Sequence, residues 1–183
     1  SIVQHNRNRL LWDKSLAVDG IKTGHVSEVG YNLVSSATGP DNMRLIAVVI
    51  GSGSEAQRAE ESKKLLTYGF RFYQNVTPYK LGAELATQRV WMGDKNEIKL
   101  GTDRDISLVI PRNSSGKLKA DFQLKNELDA PIKKGEQVGT IFLKLDGKDV
   151  AQYPLVALEE VNEGSLFSRL WDYLILLFQR LIG

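Results

Sequence analysis

The 183-residue chain contains no cysteine. That excludes disulfides, thiolate zinc sites, iron–sulfur clusters and a cysteine nucleophile. Histidine is nearly as scarce, and His5 and His25 are too few for a histidine-rich metal centre, so no metal site is expected. A surplus of one charge is lacking too. There are 24 Lys plus Arg against 22 Asp plus Glu, a formal net charge of +2. Nucleic-acid binding ordinarily needs a basic excess, so no nucleic-acid partner is expected. The start, Ser1-Ile2-Val3-Gln4-His5-Asn6-Arg7, is neither an initiator Met nor a secretion signal, and is read as a cut within a longer protein. What is present, 42% hydrophobic and 25% charged residues, is an ordinary globular composition.

From Val18 to about Tyr73 the pattern predicts strands followed by one helix. Val18–Val26 and Gly30–Thr38 are candidate strands, with a Gly39-Pro40-Asp41-Asn42 turn after them. Met43–Ile50 is apolar on both faces, which predicts a central strand covered on both sides. Ser54-Glu55-Ala56-Gln57 has the spacing of a capping box. Ala59, Ser62, Leu66, Phe70 and Tyr73 then recur at helical spacing, and Leu65 widens the stripe. Thr77-Pro78 stops the helix. A single helix covers one face of a sheet, so the other apolar face is expected to be bare in this chain, its partner lying upstream of Ser1.

Between about Leu81 and Leu158 the text changes to short β-like runs: Gln88–Met92, Glu97–Leu100, Ile106–Pro111, Leu118–Leu124, Val138–Leu145 and Val150–Leu158. Turn residues separate them, and Asp146-Gly147 is a strong hairpin signal. Such spacing predicts a small all-β sandwich or barrel.

The tail from Ser165 to Gly183 is amphipathic. Leu166, Phe167, Leu170, Trp171, Leu174, Ile175, Leu177, Phe178, Leu181 and Ile182 form a wide apolar face. Arg169, Asp172, Gln179 and Arg180 lie opposite, with Leu176 intruding. A helix here is about 26 Å long, with charges inside the run, which argues against spanning a bilayer and for lying in its surface. The alternative is a helix packed on its own domain. The organisation read from the chain is thus 1–77, 78–160 and 161–183, in an α+β fold.

Lys22-Thr23-Gly24 is the sharpest chemical signal. A Lys cation and a Thr hydroxyl can hold a carboxylate, and Gly lets a ligand lie against the strand. Around it stand Asn6-Arg7-Asn8, Leu10-Leu11-Trp12, Val18-Asp19-Gly20-Ile21, Gly30-Tyr31-Asn32-Leu33-Val34 and Ser62-Lys63-Lys64-Leu65-Leu66-Thr67-Tyr68-Gly69-Phe70. With Lys134-Gly135-Glu136-Gln137-Val138-Gly139-Thr140-Ile141 and the tail, these motifs resemble the low-molecular-mass D-alanyl-D-alanine carboxypeptidases of Gram-negative bacteria, in the penicillin-binding protein 5 and 6 group. The resemblance covers essentially the whole chain.

It implies the C-terminal piece of a β-lactamase/transpeptidase-like catalytic domain, then a β-sandwich-like domain, then an amphipathic membrane-anchor helix. The activity implied is serine-type removal of the terminal D-Ala from peptidoglycan stem peptides, with β-lactams as inhibitors and no cofactor. Lys22, Thr23 and Gly24 would bind the stem peptide's terminal carboxylate, and Lys22 would also polarise proton transfer. The backbone N–H of His25 would be an oxyanion donor, and Arg7 would add positive potential. Arg58 is a weaker candidate, expected at the surface, and the side chains of His5 and His25 carry no assigned chemistry. Leu166, Phe167, Leu170, Trp171, Leu174 and Phe178 would meet the membrane at the periplasmic face of the inner membrane.

One departure is plain. The family's nucleophilic Ser-x-x-Lys and its Ser-x-Asn precede Lys-Thr-Gly, and here neither does. The single Ser-x-x-Lys, Ser114-Ser115-Gly116-Lys117, lies in a turn on the far side and is read as a decoy. Two other functions stay open at this stage. One is a non-catalytic β-rich module with a membrane anchor. The other is a serine β-lactamase, which the β-rich segment and the tail argue against.

Overall fold

The computed structural model describes residues 3–125 and 127–182, with side chains to residue 178. The chain forms two compact units, residues 1–76 with 109–115, and residues 77–108 with 116–183.

The first unit holds a three-stranded antiparallel meander, β1 (Ala17–Val26), β2 (Gly30–Thr38) and β3 (Arg44–Ser52), in spatial order β1-β2-β3. Helix α1 (Glu55–Phe72) follows. Its first turn is closed by Ser54, whose hydroxyl accepts from the Gln57 N–H at 3.1 Å, while Gln57 Oε1 accepts from the Gly53 N–H at 3.0 Å. The first bond satisfies a donor that a helix start leaves unpaired, and the second ties in the residue before the cap. The buried face of α1, with Ala59, Ser62 and Leu66, packs on Leu33 and Ala37 of β2 and Ala47 of β3. Alanines at three of these contacts let helix and sheet approach closely.

β3 is a sheet edge among the described residues, not a central strand. Two successive hairpins necessarily leave β2 in the middle. Leu45, Ala47 and Val49 turn toward the α1 side, whereas Ile46, Val48 and Ile50 are 62%, 55% and 71% exposed. The strand is apolar on both faces, and α1 covers one.

The second unit is built on a five-stranded antiparallel sheet, in order β5 (Glu84–Arg89), β6 (Glu97–Gly101), β10 (Lys148–Ala157), β9 (Gln137–Leu145) and β8 (Leu118–Leu124). Strands β4 (Tyr73–Tyr79) and β7 (Ile106–Pro111) form a separate ribbon. Ile98, Leu100, Ile106, Ile141, Leu143 and Leu155 are fully buried in one core, against which Tyr79 and Leu108 also pack. The β9–β10 hairpin turns at Asp146 and Gly147, both at positive φ (50° and 79°), the pairing a two-residue type I′ turn requires.

Two strands differ from the sequence expectation. β4 was not expected, because Pro78 reads as a breaker; proline is tolerated in this short two-stranded ribbon. The run predicted at Gln88–Met92 is displaced to Glu84–Arg89, and Val90 and Trp91 are buried beyond the strand's end. The polar residues of Glu84–Arg89 conceal it in the text.

Helix α2 (Leu166–Ile182) closes the chain. Among the described residues no helix is long and apolar enough to cross a membrane. The side chains of Gln179, Arg180, Leu181 and Ile182, counted in the predicted faces, lie outside the described ones.

Candidate active site

The Asn6-Arg7-Asn8 motif is a local scaffold. Asn6 Oδ1 accepts from the Asn8 N–H at 2.9 Å, and the buried Asn8 side chain accepts from the Leu10 N–H at 3.2 Å. That bond caps the 3-10 turn Arg9–Trp12. Asn8 Nδ2 also reaches the Gly20 carbonyl of β1 at 3.4 Å. Arg7 is thereby fixed beside the strand that carries Lys22-Thr23-Gly24.

β1 is the outer strand of the meander, and Lys22, Thr23, Gly24 and His25 pair with Val34, Leu33, Asn32 and Tyr31 of β2. An outer strand leaves one flank free for an extended ligand. Arg7, Lys22, Thr23, Gly24 and His25 line one cleft of about 590 Å³, together with Glu55 and Arg58 from the first turn of α1. Three cations face one carboxylate there, so the cleft favours an anion. The Lys22 ammonium is exposed and donates to the Thr23 carbonyl at 2.7 Å. The His25 ring packs against that of Tyr31, with centroids 4.2 Å apart and planes tilted by 38°.

Arg58 is not a surface residue, as the sequence suggested; it is 2% exposed. Its guanidinium donates to the Gly24 carbonyl at 3.2 Å, to the Arg7 carbonyl at 3.1 Å and to Glu55 Oε1 at 3.2 Å. It also lies 5.5 Å from the Tyr31 ring centroid. One planar fork thus ties α1, β1 and the Arg7 segment together, which a single lysine could not do. Glu55 was missed as a site residue. Its signal is the i, i+3 spacing to Arg58 at a helix start.

The Ser-x-x-Lys copy is engaged elsewhere. Ser114 donates its hydroxyl to the Pro111 carbonyl, and Lys117 pairs with Asp146 at 3.2 Å. His5 is exposed. Of the tail residues, Leu166, Phe167, Leu170, Trp171 and Phe178 are 59–87% exposed and Leu174 is 39% exposed.

A Lys-Thr-Gly outer strand, a cationic cleft and a single flanking helix, together with a β-rich unit in the same chain, fit the class that the sequence resemblance implies: the C-terminal piece of a transpeptidase-like catalytic domain with a second domain. Comparison with known proteins gives the particular family. Residues 1–54 match the D-alanyl-D-alanine carboxypeptidase family model, and residues 73–163 match the model of the penicillin-binding protein 5 C-terminal domain. The chain is 51% identical to the D-alanyl-D-alanine carboxypeptidases DacA and DacC of Escherichia coli over all 183 residues, which are 45% and 46% of those proteins. The crystal structure of penicillin-binding protein 5 from Haemophilus influenzae aligns with a TM-score of 0.79 at 46% identity, covering 87% of this chain and 47% of that one. The chain therefore spans less than half the length of the curated relatives it matches, and belongs to this family as the C-terminal part of a penicillin-binding protein 5/6-type carboxypeptidase.

Proposed function

We propose that this chain supplies the carboxylate-recognising side of a serine-type D-Ala-D-Ala carboxypeptidase of peptidoglycan remodelling. The observation that carries the reading is the cleft, in which Lys22, Thr23, Arg7 and Arg58 gather along an open strand edge. A stem peptide lies along β1, its terminal carboxylate held by the Lys22 cation and the Thr23 hydroxyl. Gly24 admits the peptide backbone, and Arg7 adds attraction. Arg58 holds the Gly24 and Arg7 carbonyls and so fixes the spacing of the two sides.

The nucleophile is the serine of a Ser-x-x-Lys motif that precedes Lys-Thr-Gly in the whole enzyme. Its Oγ adds to the carbonyl of the penultimate D-Ala, and the charge that develops on oxygen is met by the His25 N–H. The bond to the terminal D-Ala breaks, its amine takes up a proton, and water then hydrolyses the acyl-enzyme. β-Lactams enter the same path and acylate the serine.

The domain organisation proposed with this activity is a catalytic portion at 1–77, a β-rich spacer at 78–160 and an anchor at 161–183. The anchor lies in the periplasmic face of the bacterial inner membrane. The exposed row Leu166, Phe167, Leu170, Trp171, Leu174 and Phe178 supports that placement.

The test is an NMR titration of the chain with an acylated peptide ending in D-Ala-D-Ala, beside the same peptide with its terminus amidated. The free acid should shift the amides of residues 22–25, and the amide should not. Thr23→Val should weaken binding about tenfold, the effect of losing a hydrogen bond to a charged group. Equal shifts with both peptides would refute carboxylate recognition.

A further inference from the structure

Helix α2 docks on its own unit by the wrong face for an ordinary amphipathic helix. A surface helix usually buries its apolar stripe. Here Leu166, Phe167, Leu170, Trp171, Leu177 and Phe178 are exposed, and the inward positions are Ser168, Arg169, Asp172, Ile175 and Leu176. Those five follow i, i+1, i+4, i+7 and i+8, a single stripe of the helix.

At the centre of that stripe Asp172 is 5% exposed. Its Oδ1 accepts from Arg89 Nη2 of β5 at 3.2 Å, and its Oδ2 accepts from the Met92 N–H at 2.8 Å. The Arg89 guanidinium lies 3.9 Å above the Trp91 ring, so one cation is shared between an indole face and the carboxylate. The neighbouring contacts agree. Ser168 Oγ reaches the Gly93 carbonyl at 3.5 Å, the Gly164 N–H donates to the Met92 carbonyl at 2.8 Å, and Leu176 is 9% exposed. A Cβ on Gly164 would lie 2.4 Å from the Gly93 carbonyl oxygen, so the lead into α2 is pressed against the loop that receives Asp172.

A carboxylate taken out of water is costly unless its charge and lone pairs are met, and here a guanidinium and a backbone N–H meet them. The arrangement has one geometrical consequence. While the pair is made, the helix cannot roll its apolar side onto the sheet.

We propose that Asp172 is a positioning residue: its pairing with Arg89 and the Met92 N–H latches α2 to the β-rich unit by the polar face, so that α2 presents its exposed apolar row to a lipid bilayer in one fixed orientation and helix and unit turn on it as one body. The lipid part rests on the anchor reading above; the latch itself does not.

Because the chain has no cysteine, two can be introduced alone, at the exposed Lys148 and Tyr173, for spin-label distance measurement in the full chain. The distribution is read in solution and on phosphatidylethanolamine/phosphatidylglycerol vesicles, with hydrogen exchange of residues 166–178 alongside. The parent should give a narrow distribution in both settings. Asp172→Ala should broaden it in both and raise exchange of the α2 amides about tenfold, while the β9 amides stay protected. Arg89→Gln should give the same change, and Asp172→Asn, which keeps an acceptor for Met92, an intermediate one. The apolar row is intact in all three, so flotation with vesicles should persist.

A narrow distribution and unchanged exchange in Asp172→Ala would overturn the latch. Loss of β9 protection in both single variants would overturn it too, assigning Asp172 to global stability. A parent chain that does not float would defeat the anchor reading, leaving the solution distances to judge the latch.

Discussion

The two helices of this chain are both amphipathic and use their faces in opposite senses. α1 buries Ala59 and Leu66 against the β2–β3 face and leaves Glu60 and Lys64 in water. α2 turns Leu170, Trp171 and Phe178 outward and places Asp172 inside. What differs is the surface each helix meets. The β2–β3 face offers Leu33, Ala37 and Ala47, so burial of apolar area holds α1. The Arg89–Gly93 segment offers a guanidinium, a free N–H and a carbonyl, which only a polar stripe can satisfy. Periodicity therefore defines two faces, and the partner surface decides which one docks.

The largest expected effect sets these helices against each other. Leu66→Ala should cost about 2–5 kcal/mol in urea unfolding, since it empties a fully buried site. Leu170→Ser should move stability by less than about 0.5 kcal/mol, as for other exposed positions, yet reduce flotation with vesicles. Equal losses of stability would erase the contrast.

A smaller effect of opposite sign belongs to Ser62. It is fully buried on α1, and its hydroxyl has no hydrogen-bond partner among the described residues. Ser62→Ala removes an unmet polar group and raises helix propensity, so thermal unfolding should show a gain of about 1 kcal/mol. A loss would mean that the hydroxyl is satisfied.

The smallest effect is electrostatic and joins α1 to the segment before β1. The Lys63 ammonium donates to Asp13 at 2.6 Å, and Ser15 donates from both its hydroxyl and its N–H. These bonds hold the Asp13 carboxyl well below the usual carboxylate range. A carboxyl whose folded pKa is depressed adds stability above its unfolded value, about 3.9, and loses it as pH falls below. Lys63→Met should lower stability modestly at neutral pH and flatten its fall below about pH 4, the two proteins converging in acid. An unaltered limb would mean the pair is inert.

The cleft was largely legible in the sequence because its chemistry is contiguous. Lys22-Thr23-Gly24 sits on one strand, and Arg7 lies in a short asparagine-flanked motif whose own side chains build the scaffold. Arg58 and Glu55 were harder to assign. Their role depends on α1 folding back over the β2–β3 face so that Arg58 in its first turn reaches β1, and no local pattern records that tertiary fact. Likewise β3 has the composition of a central strand, yet sheet order is set by hairpin connections and not by the strand's own residues. β4 and β5 were obscured by Pro78 and by a polar run. In the tail, Leu176 was the available clue. An apolar residue intruding on a polar face is expected when that face is the one that packs.

The proposed function divides the labour: Lys22 and Thr23 would recognise the carboxylate, and the acylated serine would belong to a Ser-x-x-Lys motif that precedes Lys-Thr-Gly in the whole enzyme. The most direct test is intact mass after incubation with benzylpenicillin. No adduct should form on this chain, because Ser114 is engaged with the Pro111 carbonyl and Lys117 with Asp146. A stoichiometric penicilloyl adduct, whether or not Ser114→Ala removes it, would place an activated serine in this chain and refute that division.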